Sequence, residues 1–318
     1  MTNNGKPTVP STVSGFPDRL LGMTRVLPWP ANSGVFNILR RVFEGRGRAT
    51  GELTRIRFGT VEINAPLDHP AVYWRYRPVG FNQNYLRVVT LSLLARTGLI
   101  IDVGANIGDG VALLRGAGLD VPILAIEGAD VWFDLLTDNT SALSSVILEK
   151  VLLGAGDQED ALALHVHDGT SQLVKAESEV EISSLDRVLS RHSGQPVALL
   201  KTDTDGFDLR VLTGAKSLLT TQNPVVFVEV DDGLLREQGN SAEELMAYLA
   251  ECGYSYFAAW DNWGGWLTAR SLSEGIKDLV ARYPGGPGTP YMDLAIFSKR
   301  DRSIFEAVKK PSSIANGH

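Results

Sequence analysis

The sequence is short of the features that usually fix a protein's class at sight. One cysteine, Cys252, stands in 318 residues, so neither an internal disulfide nor a cysteine-based zinc site can form. No run approaches the roughly 18 consecutive apolar residues of a membrane span, and the most apolar window, residues 88–103, is broken by Arg96. The first 30 residues are polar and punctuated by proline, without the hydrophobic segment of a secretory signal. Basic residues are in deficit, 30 against 37 acidic for a net charge of −7, which argues against a large nucleic-acid footprint. Neither G-x-G-x-x-G nor G-x-x-x-x-G-K-[ST] occurs, which disfavours a nicotinamide enzyme and a phosphate-loop NTPase. No internal repeat marks a solenoid or propeller. These absences set the expectation of a soluble, cytosolic protein with no transmembrane segment and no nucleic-acid partner.

What is present is an ordinary globular composition, 44% hydrophobic and 21% charged, in a chain long enough to bury a core without staples. Residues 1–18 and 309–318 read as flexible tails. Residues 19–96 read as an N-terminal α+β region. It has helical spacing of apolar residues over 35–43, a hairpin over 54–63 turning at Gly59, and a helix over 85–95. Six arginines (Arg40, Arg41, Arg46, Arg48, Arg55, Arg57) make this part basic. They are either a solvated face or a means of attracting an anionic substrate such as a nucleotide-sugar or a lipid-linked pyrophosphate.

From 97 to 308 short apolar runs alternate with helical segments, the pattern of βαβ units on a parallel sheet. Seven strands are expected, at 99–103, 123–127, 146–153, 197–202, 225–230, 254–260 and 291–297. A single helix is expected over 209–219, and a small β excursion at 162–166 and 180–182. The product is a doubly wound α/β sheet.

At its first strand-to-helix turn stands Ile101-Asp102-Val103-Gly104-Ala105-Asn106-Ile107-Gly108. Ligands of such sheets bind outside the carboxyl ends of the strands, and Gly104 and Gly108 let the backbone approach one closely. The second strand ends in Glu127-Gly128, and a carboxylate there can accept hydrogen bonds from both hydroxyls of a ribose. With Asp102 adding negative charge, the loop suits an adenosine bearing a cationic centre, and S-adenosylmethionine is such a molecule.

Lys201, Asp203 and Asp205 are spaced i, i+2, i+4, which on a strand sets all three on one side. Methyl transfer needs in-line positioning and a base for the hydroxyl proton. Asp205 is the candidate base, Asp203 the orienting carboxylate, and Lys201 sets their charge state. Two other readings share these residues. Asp203, Asp205 and Glu229 offer hard oxygen ligands for a divalent cation, or the Lys–Asp pair merely closes the strand end. Asn139 and Asp157 either frame the adenine or cap turns. His165 and His167 share a strand face without a third ligand, which leaves them surface residues. Trp260, Trp263 and Trp266, around Asp261-Asn262, suit a sugar ring, although core packing explains Trp260 equally well.

Taken together, Ile101 to Asp109, Ala125-Ile126-Glu127, Ser184-Leu185-Asp186 and Lys201-Thr202-Asp203-Thr204-Asp205-Gly206-Phe207-Asp208 resemble the FkbM family of S-adenosylmethionine-dependent methyltransferases. The resemblance runs from about Pro66 to Lys299 and takes in His69-Pro70, Phe227-Val228-Glu229, Trp260-Asp261-Asn262 and Tyr291-Met292-Asp293. It implies a Rossmann-like class I methyltransferase sheet. It places the cofactor on Asp102, Gly104, Ala105, Asn106, Gly108, Glu127, Gly128 and Asp203. Where the family usually reads K-I-D-V-E-G-A-E, this chain has Asp205, Phe207 and Asp208. That form is more similar to members associated with surface-polysaccharide sugars than to macrolide-modifying ones. The expected reaction is O-methylation of a sugar or glycan, nucleotide- or lipid-linked forms included. Its acceptor would lie on Glu229, Trp260, Asp261, Asn262 and Trp263, between the N-terminal region and the 262–290 segment. Methylation of a secondary-metabolite hydroxyl, or a non-catalytic glycan- or nucleotide-binding module, are the alternatives.

Overall fold

Alternation of apolar and charged side chains shapes the N-terminal part of the computed structural model, which describes residues 31–74, 81–156, 162–167, 170–175, 182–192 and 194–309. The tail expected at 1–18, all of the tail expected at 309–318 but Lys309, and Asp157 lie outside these; Lys309 ends a helix. Helix α1 (Ala31–Thr50) leads into a hairpin of β1 (Leu53–Phe58) and β2 (Val61–Pro66), paired antiparallel. Ile56, Phe58, Ile63 and Ala65 turn inward while Arg55 and Arg57 face solvent, as a two-residue period dictates. The inward face packs with Phe43 of α1 against Ile107, Ala112 and Trp132, so the hairpin shares its core with the strand-to-helix turn that follows. A short helix α2 (Ala71–Trp74) and the longer α3 (Phe81–Ala95) complete this part.

The central sheet follows from the near-continuous apolar runs, which suit strands covered on both faces. In chain order the elements are β3 (Leu99–Val103), α4 (Asp109–Gly116), β4 (Ile123–Glu127), α5 (Asp130–Thr140) and β5 (Val146–Lys150). Then come β6 (Leu152–Leu153), β7 (Leu162–His167), β8 (Thr170–Lys175), β9 (Ile182–Ser183), α6 (Leu185–Ser190) and β10 (Val197–Thr202). The remainder is α7 (Asp208–Thr213), α8 (Lys216–Thr221), β11 (Val225–Val230), α9 (Asp232–Glu237), α10 (Ala242–Glu251), β12 (Tyr254–Asp261), β13 (Trp266–Ser271), α11 (Lys277–Val280), β14 (Met292–Ser298) and α12 (Arg302–Lys309). Eight strands form one sheet in the order β13-β12-β14-β11-β10-β3-β4-β5. The run β5-β4-β3-β10-β11 is parallel, and β14 enters antiparallel between β11 and β12. The strand order reverses beside β3, so β3 and β10 part their following connections there and leave a crevice at their carboxyl ends.

All seven expected strands are present, with differences in detail. The 262–290 segment contributes an eighth, β13, whose Trp-Leu-Thr-Ala-Arg-Ser is half-buried and charged as befits an edge. The third strand leaves the main sheet at Val151, and β6 pairs instead with β9. Of the expected excursion, 162–166 pairs with β8 in a hairpin, whereas Ile182 stands in β9 and residues 180 and 181 lie outside the described ones. The expected helix over 209–219 is two helices, because Gly214 lies against the Gly154 carbonyl, 2.1 Å from where a Cβ would stand. No helix among the described residues is long and apolar enough to cross a membrane.

Candidate active site

The chain leaves β3 through a loop that only a few residue types tolerate. Gly104 (φ 75°), Asn106 (φ 49°) and Gly108 (φ 84°) are left-handed, a conformation open to glycine and, less freely, to asparagine. A Cβ on Gly104 would stand 2.0 Å from the Asp203 carbonyl oxygen. The amides of Gly104 and Ala105 both donate to the Ile126 carbonyl at 3.0 Å, tying the loop to the end of β4. Glu127 ends that strand, buried, and its two oxygens accept from the Asn106 amide (2.9 Å) and the Ala129 amide (2.8 Å). Burial pushes its carboxyl up, opposed by these amides and that of Gly128. A pocket opens here between Gly104, Asn106, Glu127, Gly128 and Trp132 on one side and Asp203 and Asp205 on the other.

The loop's other anchors lie in the N-terminal hairpin. Asn139 donates from Nδ2 to the carbonyls of Asn64 (2.9 Å) and Ile107 (2.8 Å), and its Oδ1 accepts from the Asn64 amide (2.8 Å). Its amide is therefore spent clamping β2 to the loop, and neither adenine framing nor turn capping describes it. His69, buried just after β2, accepts the Ala71 amide at Nδ1 (3.2 Å) and meets Asn106 Oδ1 through Nε2 (3.1 Å).

Lys201 is buried in β10 and bridges Asp102 (3.0 Å) and Asp203 (3.2 Å). The β10–β3 register sets Lys201 beside Asp102, so the pair forms the floor under the loop. Burial pushes the Lys201 ammonium down, but Asp102, Asp203 and Tyr85 outweigh it and hold it well above its ordinary value, firmly charged. The expected strand spacing of Lys201, Asp203 and Asp205 fails, because β10 ends at Thr202 and both aspartates lie in the turn beyond it. Asp205 is itself left-handed (φ 49°). Burial first, then the charges of Asp203, Asp208, Asp231 and Glu127, raise its carboxyl to about 8. Asp208 serves the turn, accepting Thr202 Oγ1 (2.8 Å) and the Gly206 amide (3.3 Å). In the same way Ser184 caps α6 and Asp186 accepts the Ser217 (2.7 Å) and Leu218 (3.0 Å) amides.

Further along the carboxyl edge, Glu229 of β11 faces Asp293 of β14 across the register, and Asp293 in turn neighbours Trp260 of β12. Asp293 is 1% exposed, and its Oδ1 has no partner among the described residues. Burial, then Asp203 and Asp205, push the Glu229 carboxyl well up, and the Glu229 charge does the same to the Tyr291 hydroxyl. Asp293 and Tyr291 were not expected as site residues. The signals available were the place of Tyr291-Met292-Asp293 in the resemblance and a carboxylate inside the apolar run Met-Asp-Leu-Ala-Ile-Phe. Trp260 is a correction: it is buried, stacked on Phe227 (6.3 Å) and edge-on to Trp266 (5.6 Å), so it is core and offers no face to a ligand. Asp261 shapes the turn, its Oδ1 accepting the Trp263 (2.9 Å) and Gly265 (2.7 Å) amides. Asn262 donates its amide to the Tyr291 carbonyl (3.0 Å), leaving Oδ1 buried without a partner among the described residues. Trp263 and Trp266 are exposed beside it, and Asn84 of α3 holds the turn through the Gly264 carbonyl (3.0 Å).

Among the described residues no three His, Cys, Asp or Glu side chains are grouped to hold a metal ion. His165 and His167 lie on the excursion hairpin, in β7. Of the six arginines, Arg40, Arg46 and Arg57 pair with Glu44, Glu52 and Glu62 on the same unit.

A largely parallel α/β sheet in which β14 and β13 are reversed, with a glycine loop at the switch point and a buried carboxylate ending the next strand, makes a Rossmann-like fold. Residues 102–256, just under half of the chain, match the family model described as the methyltransferase FkbM domain. No curated protein matches the sequence. Among solved structures, the methyltransferase FkbM from Methylobacillus flagellatus KT is 13% identical with a TM-score of 0.43, covering 88% of this chain and 58% of its own. M. jannaschii TYW2 in complex with AdoMet is 13% identical (TM-score 0.39; 77% and 86% covered), and the METTL16 MTase domain 14% identical (0.43; 81% and 78%). The chain thus spans less than two thirds of the Methylobacillus protein's length.

Proposed function

We propose that the chain transfers a methyl group from S-adenosylmethionine to a hydroxyl of a sugar or glycan. The observation that carries the reading is the meeting, in one pocket, of the Gly104 loop, the Glu127 carboxylate and the Asp203–Asp205 turn. The residues fit the cofactor. Gly104 and Gly128 let the pocket wall close directly on the Asp203 carbonyl and Leu152, and the buried Trp132 Nε1 is a donor with no partner among the described residues. Bound there, S-adenosylmethionine supplies an electrophilic methyl on a sulfonium. Glu127 takes the ribose hydroxyls, and Asp102 and Asp203, held by Lys201, present negative charge to the cationic end. Asp203 orients. Asp205 takes the hydroxyl proton as the acceptor oxygen attacks, a role that suits a carboxyl whose affinity for protons is raised to about 8. The acceptor's ring would rest against Trp263, near Asn262 and Glu229, since flat apolar faces beside acceptor oxygens suit a polyol.

Calorimetric titration with S-adenosylmethionine and S-adenosylhomocysteine, with and without chelator, tests the cofactor site. Saturable binding that survives the chelator is expected, and no binding under either condition would overturn the reading. Transfer of labelled methyl to nucleotide-sugars or lipid-linked saccharides tests the acceptor. Labelling confined to polyketide-type hydroxyls would replace the glycan with a secondary metabolite.

A further inference from the structure

Glu127 does not stand alone. Its Oε2 is fixed by the backbone amide of Asn106, a left-handed residue whose side chain is held in turn. That hold comes from outside the matched 102–256 stretch. His69 sits in the turn after β2, its own amide bonded to the Pro66 carbonyl (2.9 Å) and its ring edge-on to Trp132 (5.5 Å). Because Nδ1 accepts the Ala71 amide, the ring proton resides on Nε2, which donates to Asn106 Oδ1 at 3.1 Å. The direction of every bond in this chain is thereby fixed, from the Ala71 amide through the imidazole and Asn106 to the carboxylate. The ring is 5% exposed, so water does not compete for it.

We infer that His69 is a positioning residue for the ribose carboxylate, holding Glu127 through Asn106, and that the N-terminal hairpin is thus a working part of the cofactor site. The inference rests on the proposal that this pocket binds S-adenosylmethionine. An asparagine free to swing its side chain would let its amide drift from Oε2, and Glu127 would lose the orientation that lets it meet two vicinal hydroxyls together. A positioning residue of this kind controls the ribose contribution to affinity and leaves the rest of the ligand's contacts alone.

The test uses the full chain and two ligands, S-adenosylhomocysteine and its 2′-deoxy analogue, titrated by calorimetry against wild type, Glu127→Gln, and three variants of His69. In wild type the deoxy analogue should bind about tenfold more weakly, as loss of a hydrogen bond to a charged group implies. Glutamine places an N–H near the Nε2 position and can still reach Asn106, whereas asparagine mimics Nδ1 and can satisfy only the Ala71 amide. His69→Gln should therefore stay near wild type. His69→Asn and His69→Ala should bind the parent ligand about tenfold more weakly and no longer distinguish the deoxy analogue. Rescue by asparagine in place of glutamine would mean that the imidazole merely closes the turn, and overturns the inference. So would equal weakening of both ligands in all three variants, or no weakening in any. If wild type fails to bind, or Glu127→Gln leaves the ribose preference intact, the cofactor reading itself has failed, and the inference falls with it.

Discussion

Replacing Asp205 by asparagine should change how stability depends on pH, and the effect needs no knowledge of the acceptor. Asparagine tolerates φ near +49° as aspartate does, so backbone strain does not enter. Burial first, and then the neighbouring carboxylates, lift the folded-state value from 3.8 to about 8. The folded protein thus keeps this proton over a range where the unfolded chain releases it. The contribution to stability is whole below about pH 4 and is lost as pH rises through about 8, above which nothing more is lost. At 1.36 kcal/mol per pH unit the full gap would approach ~6 kcal/mol. Since Asp205 shares its field with Asp203 and Glu229 and opens into the pocket, about 2–4 kcal/mol is the realistic size. Urea denaturation at intervals from pH 5 to 9 measures it. The stability of Asp205→Asn relative to wild type should climb between pH 5 and 8 and then level off. A difference that stays constant across the range would show that Asp205 titrates as an ordinary surface carboxylate, and the case for it as the base would go. The same variant should bind S-adenosylhomocysteine normally while methyl transfer slows by about 10²–10⁴-fold.

Lys201→Met strands two carboxylates and should cost about 3–5 kcal/mol in the same denaturation assay, with Asp102→Asn added to it restoring part of the loss. A cost below about 1 kcal/mol for the single variant would mean that the buried pair is not what holds the floor of the site. Gly104→Ala forces a Cβ to within 2.0 Å of the Asp203 carbonyl and should weaken S-adenosylmethionine binding by more than about tenfold. Gly118→Ala, at a similar φ of 80° but facing open space, should cost only about 1 kcal/mol of stability and leave binding unchanged. Equal effects at the two glycines would attribute the whole result to backbone conformation.

The parallel strands were legible because a strand covered on both faces must be apolar nearly throughout, and few other structures produce five-residue runs such as Leu-Ile-Ile-Asp-Val. The glycine loop was legible for a related reason, since left-handed backbone restricts residue choice and so leaves a mark on the sequence. Edge strand β13 was not. Its outer side faces water, its residues are half-buried, and an alternation as weak as Trp-Leu-Thr-Ala-Arg-Ser does not separate a strand from a loop. The break at Gly214 escaped because it depends on the Gly154 carbonyl, sixty residues away in sequence and in contact only through the fold.

The site divides along the same line. Asp102 and Glu127 could be placed near strand ends from the sequence, Asp205 lies in the turn beyond β10, and the side chains of Trp260 and Asn139 are taken up by local packing and hydrogen bonds. An indole, a carboxylate and an amide have the same donors and acceptors whether they meet a ligand or a neighbouring backbone group. Only the partner decides, and the partner is not in the local sequence. Asp293 shows the converse. It reads as one more residue of an apolar strand until the register puts it opposite Glu229, and then its buried Oδ1 has no partner among the described residues. A group in that state either keeps a proton or takes a hydrogen bond from a ligand's hydroxyl. His69 lies more than thirty residues before the matched stretch, in the turn after a hairpin whose composition marked it only as basic. The hairpin earns its place in the site through three side-chain amide bonds at Asn139 and one imidazole bond to Asn106. On the proposed reading, the cofactor site therefore reaches, through hydrogen bonds to the loop, well upstream of the stretch that matches the family model.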